Sequence, residues 1–113
     1  HDPCQIARNS GVIEQPRRVL RAVTDYFTEM TPNREENWCC GGGGGLVAMG
    51  ELEFRMKSSK VKANQLKATG ARVVATACEN CHSQLSDINE YYGLGMKVEF
   101  LSHLVAKALV KAV

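Results

Sequence analysis

The chain is 113 residues long, 44% apolar and 23% charged, which fits one globular domain with a modest core and excludes two. Its formal net charge is +2, with Lys and Arg scattered among acids, so it carries no nucleic-acid footprint. No apolar run approaches the roughly 18 residues that cross a bilayer and no secretory signal is recognisable, so direct membrane insertion is not expected.

In chain order, His1-Asp2-Pro3-Cys4 reads as a loop, with Pro3 fixing one torsion just ahead of the thiol. A start on His1 rather than Met, inside a motif, reads as a fragment of a larger subunit. Pro16 suits a first helical turn, and Val19, Leu20, Val23, Tyr26 and Phe27 predict a one-sided helix over about 16–29. Arg17, Arg18 and Arg21 on that helix read as a solvated side or as a docking face for an acidic partner. A short strand is expected through Glu36 to Trp38, delivering Cys39 and Cys40 at its carboxyl end. Leu46 to Lys57 fits helix or loop alike.

Ser58 or Ser59 predicts the cap of a helix carrying Val61, Ala63, Leu66 and Ala68, closed by Thr69-Gly70. Arg72 to Ala77 is β-branched and nearly all apolar, as a strand buried on both faces should be. A helix from Cys78 to near Gly93 follows, with Leu85, Ile88 and Tyr92 on one side. A strand from Lys97 to Leu101 and a helix capped by Ser102, carrying Leu104, Val105, Ala108 and Leu109, end the chain. The alternation predicts a single α/β domain over 1–113, a mainly parallel sheet flanked by helices. The cysteine loops would lie at the carboxyl ends of the strands, where such sheets gather ligands.

The chemistry is concentrated in five cysteines. Cys4 is followed after 34 residues by the pair Cys39-Cys40, and after 37 more by Cys78-Glu79-Asn80-Cys81. Neighbouring cysteines cannot both face one core, and the five glycines that follow, Gly41 to Gly45, bury nothing. That run offers bare backbone amides able to donate to sulfur, Gly41, Gly42 and Gly43 foremost. Cys78 and Cys81 sit where a helix begins, a position that favours the thiolate. An odd number of thiols without export signals points to metal or redox chemistry rather than to a disulfide framework. Five exceed the four ligands of zinc or of an ordinary cubane cluster. The surplus implies an unusual cluster, or a reactive thiol beside a normal one.

Blander readings compete with this one. Cys78-Glu79-Asn80-Cys81-His82 matches the CxxCH haem motif, but haem would leave Cys4, Cys39 and Cys40 idle. A thioredoxin-like CxxC leaves the same three spare. A zinc site on four thiols, or disulfides among them, would suit an isolated chain handled in air. Arg8 and His82 lie close enough in sequence to the thiols to supply charge or protons; the plain alternatives are a surface arginine and a solvated helix histidine. Tyr91, Tyr92 and the methionines read as packing. Trp38 reads as packing, or as a wall between the thiols and solvent.

The pattern of Cys4, Trp38-Cys39-Cys40-Gly41 and Cys78-x-x-Cys81, with His1-Asp2-Pro3 ahead of the first thiol, resembles the cysteine-rich CCG domain of heterodisulfide reductase subunits. Within that family it looks most similar to the carboxyl-terminal part of DsrK-type subunits, the HdrD-like iron-sulfur components of DsrMKJOP membrane complexes. The resemblance covers nearly the whole chain, although the 37-residue gap is slightly long. It implies a noncubane 4Fe-4S cluster on Cys4, Cys39, Cys40, Cys78 and Cys81, cleaving or forming a sulfur-sulfur bond in one-electron steps. It implies a disulfide or trisulfide on a small DsrC-like partner as substrate, with small thiol coenzymes as the competing class. It further implies other subunits of a membrane-bound electron-transfer complex as partners, and a place on the cytoplasmic face of the membrane.

Overall fold

In the computed structural model, which describes residues 1–109, four helices precede the first strand: α1 (Glu14–Val23), α2 (Leu46–Met49), α3 (Leu52–Ser58) and α4 (Lys60–Thr69). Then follow β1 (Val73–Thr76), α5 (Glu79–Tyr91), β2 (Lys97–Phe100) and α6 (Leu101–Ala108). The two strands pair in parallel, Val73 beside Lys97 and Thr76 beside Phe100. A parallel pair needs a crossover, and α5 provides it. The fold is therefore α/β, as the alternation predicts, with a two-stranded sheet among the described residues.

The core lies where α3, α4 and α5 meet β1. Met56, Ala63, Leu66, Val74, Leu85 and Ile88 form it, and Cys40 and Cys81 are part of the same buried cluster. Gly70, at φ 66°, closes α4 in the left-handed conformation that an αL cap requires. Ser59 precedes α4 as expected, but its hydroxyl turns back to Met56 O at 3.4 Å rather than capping.

Four local expectations are corrected. Helix α1 stops at Val23, six residues short of 29, because Thr24 is extended and its Oγ1 accepts from the Tyr26 amide, a side-chain turn competing with the helix. Tyr26 is consequently 95% exposed. No strand forms at Glu36–Trp38: Arg34–Glu36 is a 3₁₀ turn, and Arg8 Nη1 occupies the Asn37 carbonyl that a strand neighbour would need. Strand β1 is buried on one face only, with Val74 and Thr76 inside and Val73 exposed. Val73 borders a groove of about 740 Å³ that also takes in Leu20, Val23, Phe27 and Leu104, and no cysteine lines it. Finally, Ser102 lies inside α6, whose N-cap position is Phe100.

Candidate functional site

Cys78 sits extended at the N-cap of α5, and the first turn of the helix carries Cys81 inward. Its sulfur lies 3.5 Å from that of Cys40, 41 residues earlier in the chain. Cys40 arrives there without a strand to deliver it. Its backbone carbonyl instead accepts from Gln84 Nε2 at 2.9 Å, one helical turn beyond Cys81. Gln84 is itself oriented by Arg55, whose Nη1 donates to Gln84 Oε1 at 2.6 Å and to Asp87 Oδ2 at 2.7 Å. Both Gln84 and Arg55 are buried.

The glycines divide by role. Gly41, at φ 87°, folds the chain back so that its amide donates to Cys39 Sγ at 3.3 Å. Gly42 packs so tightly that a Cβ there would stand 2.7 Å from Gln84 Cβ and 2.8 Å from Val47 Cγ2. Gly43 has open space beside it.

Electrostatically, the thiols act on one another. The hydrogen bond with Cys81 lowers the Cys40 thiol to about 6 despite burial, with help from the Gly42 amide. Cys81 is pushed up by that same bond and by burial, so Cys40 gives up its proton first. Burial raises Cys39, and the neighbouring charges of Cys40 and Cys4 add to the rise. Cys78 in turn raises Cys81. Each of the five sulfurs therefore lies within electrostatic reach of another, from three separate stretches of chain.

The amino-terminal motif is anchored beside this pair. Backbone carbonyls alternate sides along a strand, and Arg72 O accepts from Lys97 N, so Ala75 O faces the edge of β1 away from β2. The His1 main-chain nitrogen donates to it at 2.9 Å. Asp2 is clamped by Arg17, with both carboxylate oxygens at 2.6–2.8 Å from the guanidinium, and by the Arg34 amide at 2.8 Å. Burial opposes the Asp2 charge, but these bonds outweigh it and hold the carboxyl below its ordinary range. A ring nitrogen of His1 and the sulfurs of Cys40 and Cys81 lie within 4.8 Å of one another, close enough to share one metal ion.

Beneath them is Lys62, 1% exposed, with Asn37 Oδ1 at 3.0 Å and Met30 Sδ at 3.6 Å as its partners. Burial lowers its ammonium to about 8, against the pull of Cys40, Cys39 and Asp2, which favour the charge. No carboxylate pairs with it among the described residues.

Several sequence expectations change here. Arg17 is no solvated or docking residue but a buried ion-pair partner of Asp2 and Glu29; Arg18 and Arg21 are exposed. Arg8 holds the backbone of Glu35 and Asn37, which steers the chain into Cys39. His82 is not the solvated helix histidine of the plain alternative: it is half-buried, with Val98 O at 3.1 Å from Nε2 and its ring stacked on Phe100. Trp38 is half exposed rather than packed, beside an exposed Cys39, while Tyr91 and Met49 also face solvent. Sequence reasoning missed Gln84, Arg55, Asn37 and Lys62. For Gln84 and Lys62 the available signal was helical spacing onto a core face, Gln84 one turn before Ile88 and Lys62 one turn before Leu66; Asn37 lies in no helix and carries no such signal.

The family model for the CCG cysteine-rich domain matches residues 1–86. The chain belongs to this CCG family. An Hdr-like menaquinol oxidoreductase iron-sulfur subunit of Archaeoglobus profundus is 33% identical over 97% of the chain. One subunit of the dihydromethanophenazine:CoB--CoM heterodisulfide reductase of Methanosarcina barkeri is 39% identical over 96% of it. One subunit of the CoM/CoB fumarate reductase of Methanothermobacter marburgensis is 35% identical over 84%. The chain spans 21%, 27% and 19% of those three proteins, respectively. No solved structure matches it significantly. No described helix is long and apolar enough to cross a membrane.

Proposed function

We propose that this CCG domain is the disulfide-reducing or disulfide-forming module of an iron-sulfur oxidoreductase, with Cys4, Cys39, Cys40, Cys78 and Cys81 holding a noncubane 4Fe-4S cluster. The observation that carries this reading is the 3.5 Å approach of Cys40 to Cys81, which joins the cysteine pair to the CxxC across the core. The donor set fits iron and sulfide: thiols dominate, one of them, Cys40, already acidic, with glycine amides turned toward sulfur. A cradle at Gly42 that no side chain can enter keeps the backbone close. When bound, such a cluster supplies electrons singly.

The chain's own residues have other duties. Gln84 and Arg55 hold the Cys40 backbone, Asp2 and Arg17 fix the first loop, and buried Lys62 offsets thiolate charge. The net reaction consumes two electrons and two protons as one sulfur-sulfur bond becomes two thiols. The relatives' names supply the oxidoreductase class, and the DsrK-like motif supplies the finer reading of a DsrC-like protein disulfide or trisulfide as substrate. Electrons would pass through other subunits of a membrane-bound complex on its cytoplasmic face. Heterodisulfides of small thiol coenzymes are the competing substrates, as the Methanosarcina relative's name indicates.

The test is anaerobic reconstitution followed by EPR of the oxidised protein, with and without added thiol. About four irons per chain and a paramagnetic signal perturbed by thiol are expected. Saturation at one metal ion per chain, with no such signal, overturns the cluster in favour of a zinc-type site. Binding of a DsrC-like protein that is lost with its terminal cysteine would favour the protein substrate.

A further inference from the structure

His1 belongs to no ligand set assigned above, yet its ring reaches the sulfurs of Cys40 and Cys81. Its Nε2 is buried and has no hydrogen-bond partner among the described residues. Its Nδ1 lies 3.3 Å from Asn37 Nδ2. Which of these nitrogens carries the proton follows from the groups around Asn37. Lys62 can only donate, and it meets Asn37 at 3.0 Å, so the atom it meets must be the amide oxygen. The Asp2 carbonyl can only accept, and it lies 2.6 Å from the other end, so that end must be the NH₂. Two independent constraints give one amide orientation, where amide flips are otherwise ambiguous.

An amide N–H therefore points at Nδ1, and a proton on Nδ1 would face it donor to donor. Nδ1 accepts, and the ring proton belongs on Nε2, the nitrogen left without a partner. Histidines that bind metal show the reverse arrangement, in which the second nitrogen donates to a carboxylate, carbonyl or water. We propose that Lys62 and Asn37 lock His1 in the Nε2–H tautomer, making its ring an N–H donor to sulfur at this centre and not a ligand to metal. For the sulfur it meets, this rests on the cluster reading above. His1 is thus a positioning residue: an N–H bond to sulfur stabilises the more negative, reduced state and raises the reduction potential.

The tautomer is tested without iron. In the reduced, metal-free chain labelled with ¹⁵N-histidine, long-range proton-nitrogen correlation is expected to show His1 protonated at Nε2 and bare at Nδ1, its signals assigned by their loss in His1→Gln. Asn37→Asp replaces the donor facing Nδ1 with an acceptor and is expected to move the proton to Nδ1. Should that variant fail to fold, the wild-type tautomer decides alone, and a proton on Nδ1 overturns the proposal. Cobalt(II) added to the metal-free chain tests ligation. Unchanged ligand-field bands in His1→Gln are expected, and a loss of nitrogen ligation on substitution overturns it.

In the reconstituted protein, His1→Leu, which unlike glutamine carries no N–H donor, is expected to shift the reduction potential downward, and an unmoved potential overturns the N–H-to-sulfur bond. Failure to assemble any cluster would sink the proposed function and leave the tautomer result standing. The two readings therefore fail separately.

Discussion

Gln84 carries Cys40: the amide of a helix residue holds the carbonyl of a loop cysteine at 2.9 Å, in a site where Gln84 has no exposed surface. Because Arg55 fixes the other end of that amide at 2.6 Å, the position of the cysteine pair is set by a buried polar chain rather than by sheet pairing. Replacing Gln84 by Leu strands the Cys40 carbonyl and removes one of the two acceptors that Arg55 Nη1 uses. The expected cost is about 2–3 kcal/mol in urea unfolding of the reduced, metal-free chain. A loss below about 0.5 kcal/mol would show that water replaces the bond and that the cysteine pair is held otherwise.

Gly42 and Gly43 make a paired comparison within one loop. Alanine at 42 drives a Cβ into Gln84 and Val47, neither of which can retreat without moving α5 or α2, so about 1–3 kcal/mol of stability should go. Alanine at 43 meets nothing within 4 Å and needs no left-handed backbone, so stability should stay within about 1 kcal/mol of the parent. Iron uptake should follow the same division. Equal behaviour of the two variants would mean that the cradle is not what holds the loop.

The legible parts of this molecule are those in which local pattern and burial agree. Thr69-Gly70 ends α4, the β-branched run gives β1, and Cys78 opens α5, because in each case one short-range rule decides the backbone. The cysteine spacing likewise points to the candidate site before the fold is known, and the structure brings Cys40 and Cys81 of that set together. What stays hidden depends on pairing across the chain. Arg17 looks like a surface base because its sequence neighbours are bases, and only the arrival of Asp2 and Glu29 from other segments buries it. Lys62 lies in a helix whose other lysines, Lys60 and Lys67, are exposed; its spacing one turn before Leu66 is the one local mark that it turns inward, and its partner Asn37 comes from a distant segment. The strand expected before Cys39 fails for the same reason, since a distant arginine, Arg8, holds that backbone.

Arg17→Met leaves the Asp2 carboxylate buried with only the Arg34 amide among the donors that now hold it. A loss of about 3–5 kcal/mol at neutral pH is expected, the cost of breaking rather than replacing a buried pair. The pH dependence has a definite sign. In the parent the folded-state pKa of Asp2 lies below its unfolded value of 3.8, so the stabilisation is present above 3.8 and is lost as pH falls through the folded pKa. The deficit of Arg17→Met should therefore shrink in acid, measured as the difference between two urea-denaturation series. A deficit independent of pH would assign the loss to packing of the arginine stem instead.

Lys62 gives a slope of the same sign in a different window, but from a charge that costs stability rather than one that adds it. Its ammonium titrates near 8 in the folded chain against 10.5 unfolded, so at neutral pH the metal-free protein buries a charge at a cost. Between those values the unfolded chain holds a proton that the folded chain has shed, and stability must rise with pH. Over that interval the gain amounts to about 3 kcal/mol. Lys62→Met removes the titration while filling the same space, so it should be the more stable protein at pH 7 and lose that advantage as pH climbs toward 10. Thiols titrate in both proteins, which is why the difference between them, and not either curve alone, is the quantity to measure. A pH-independent difference would mean that Lys62 keeps an ordinary pKa, with water or thiolate charge already compensating it. A thiolate-rich cluster bound in the pocket should reverse the preference at pH 7, because the ammonium then faces the negative charge that its burial lacks.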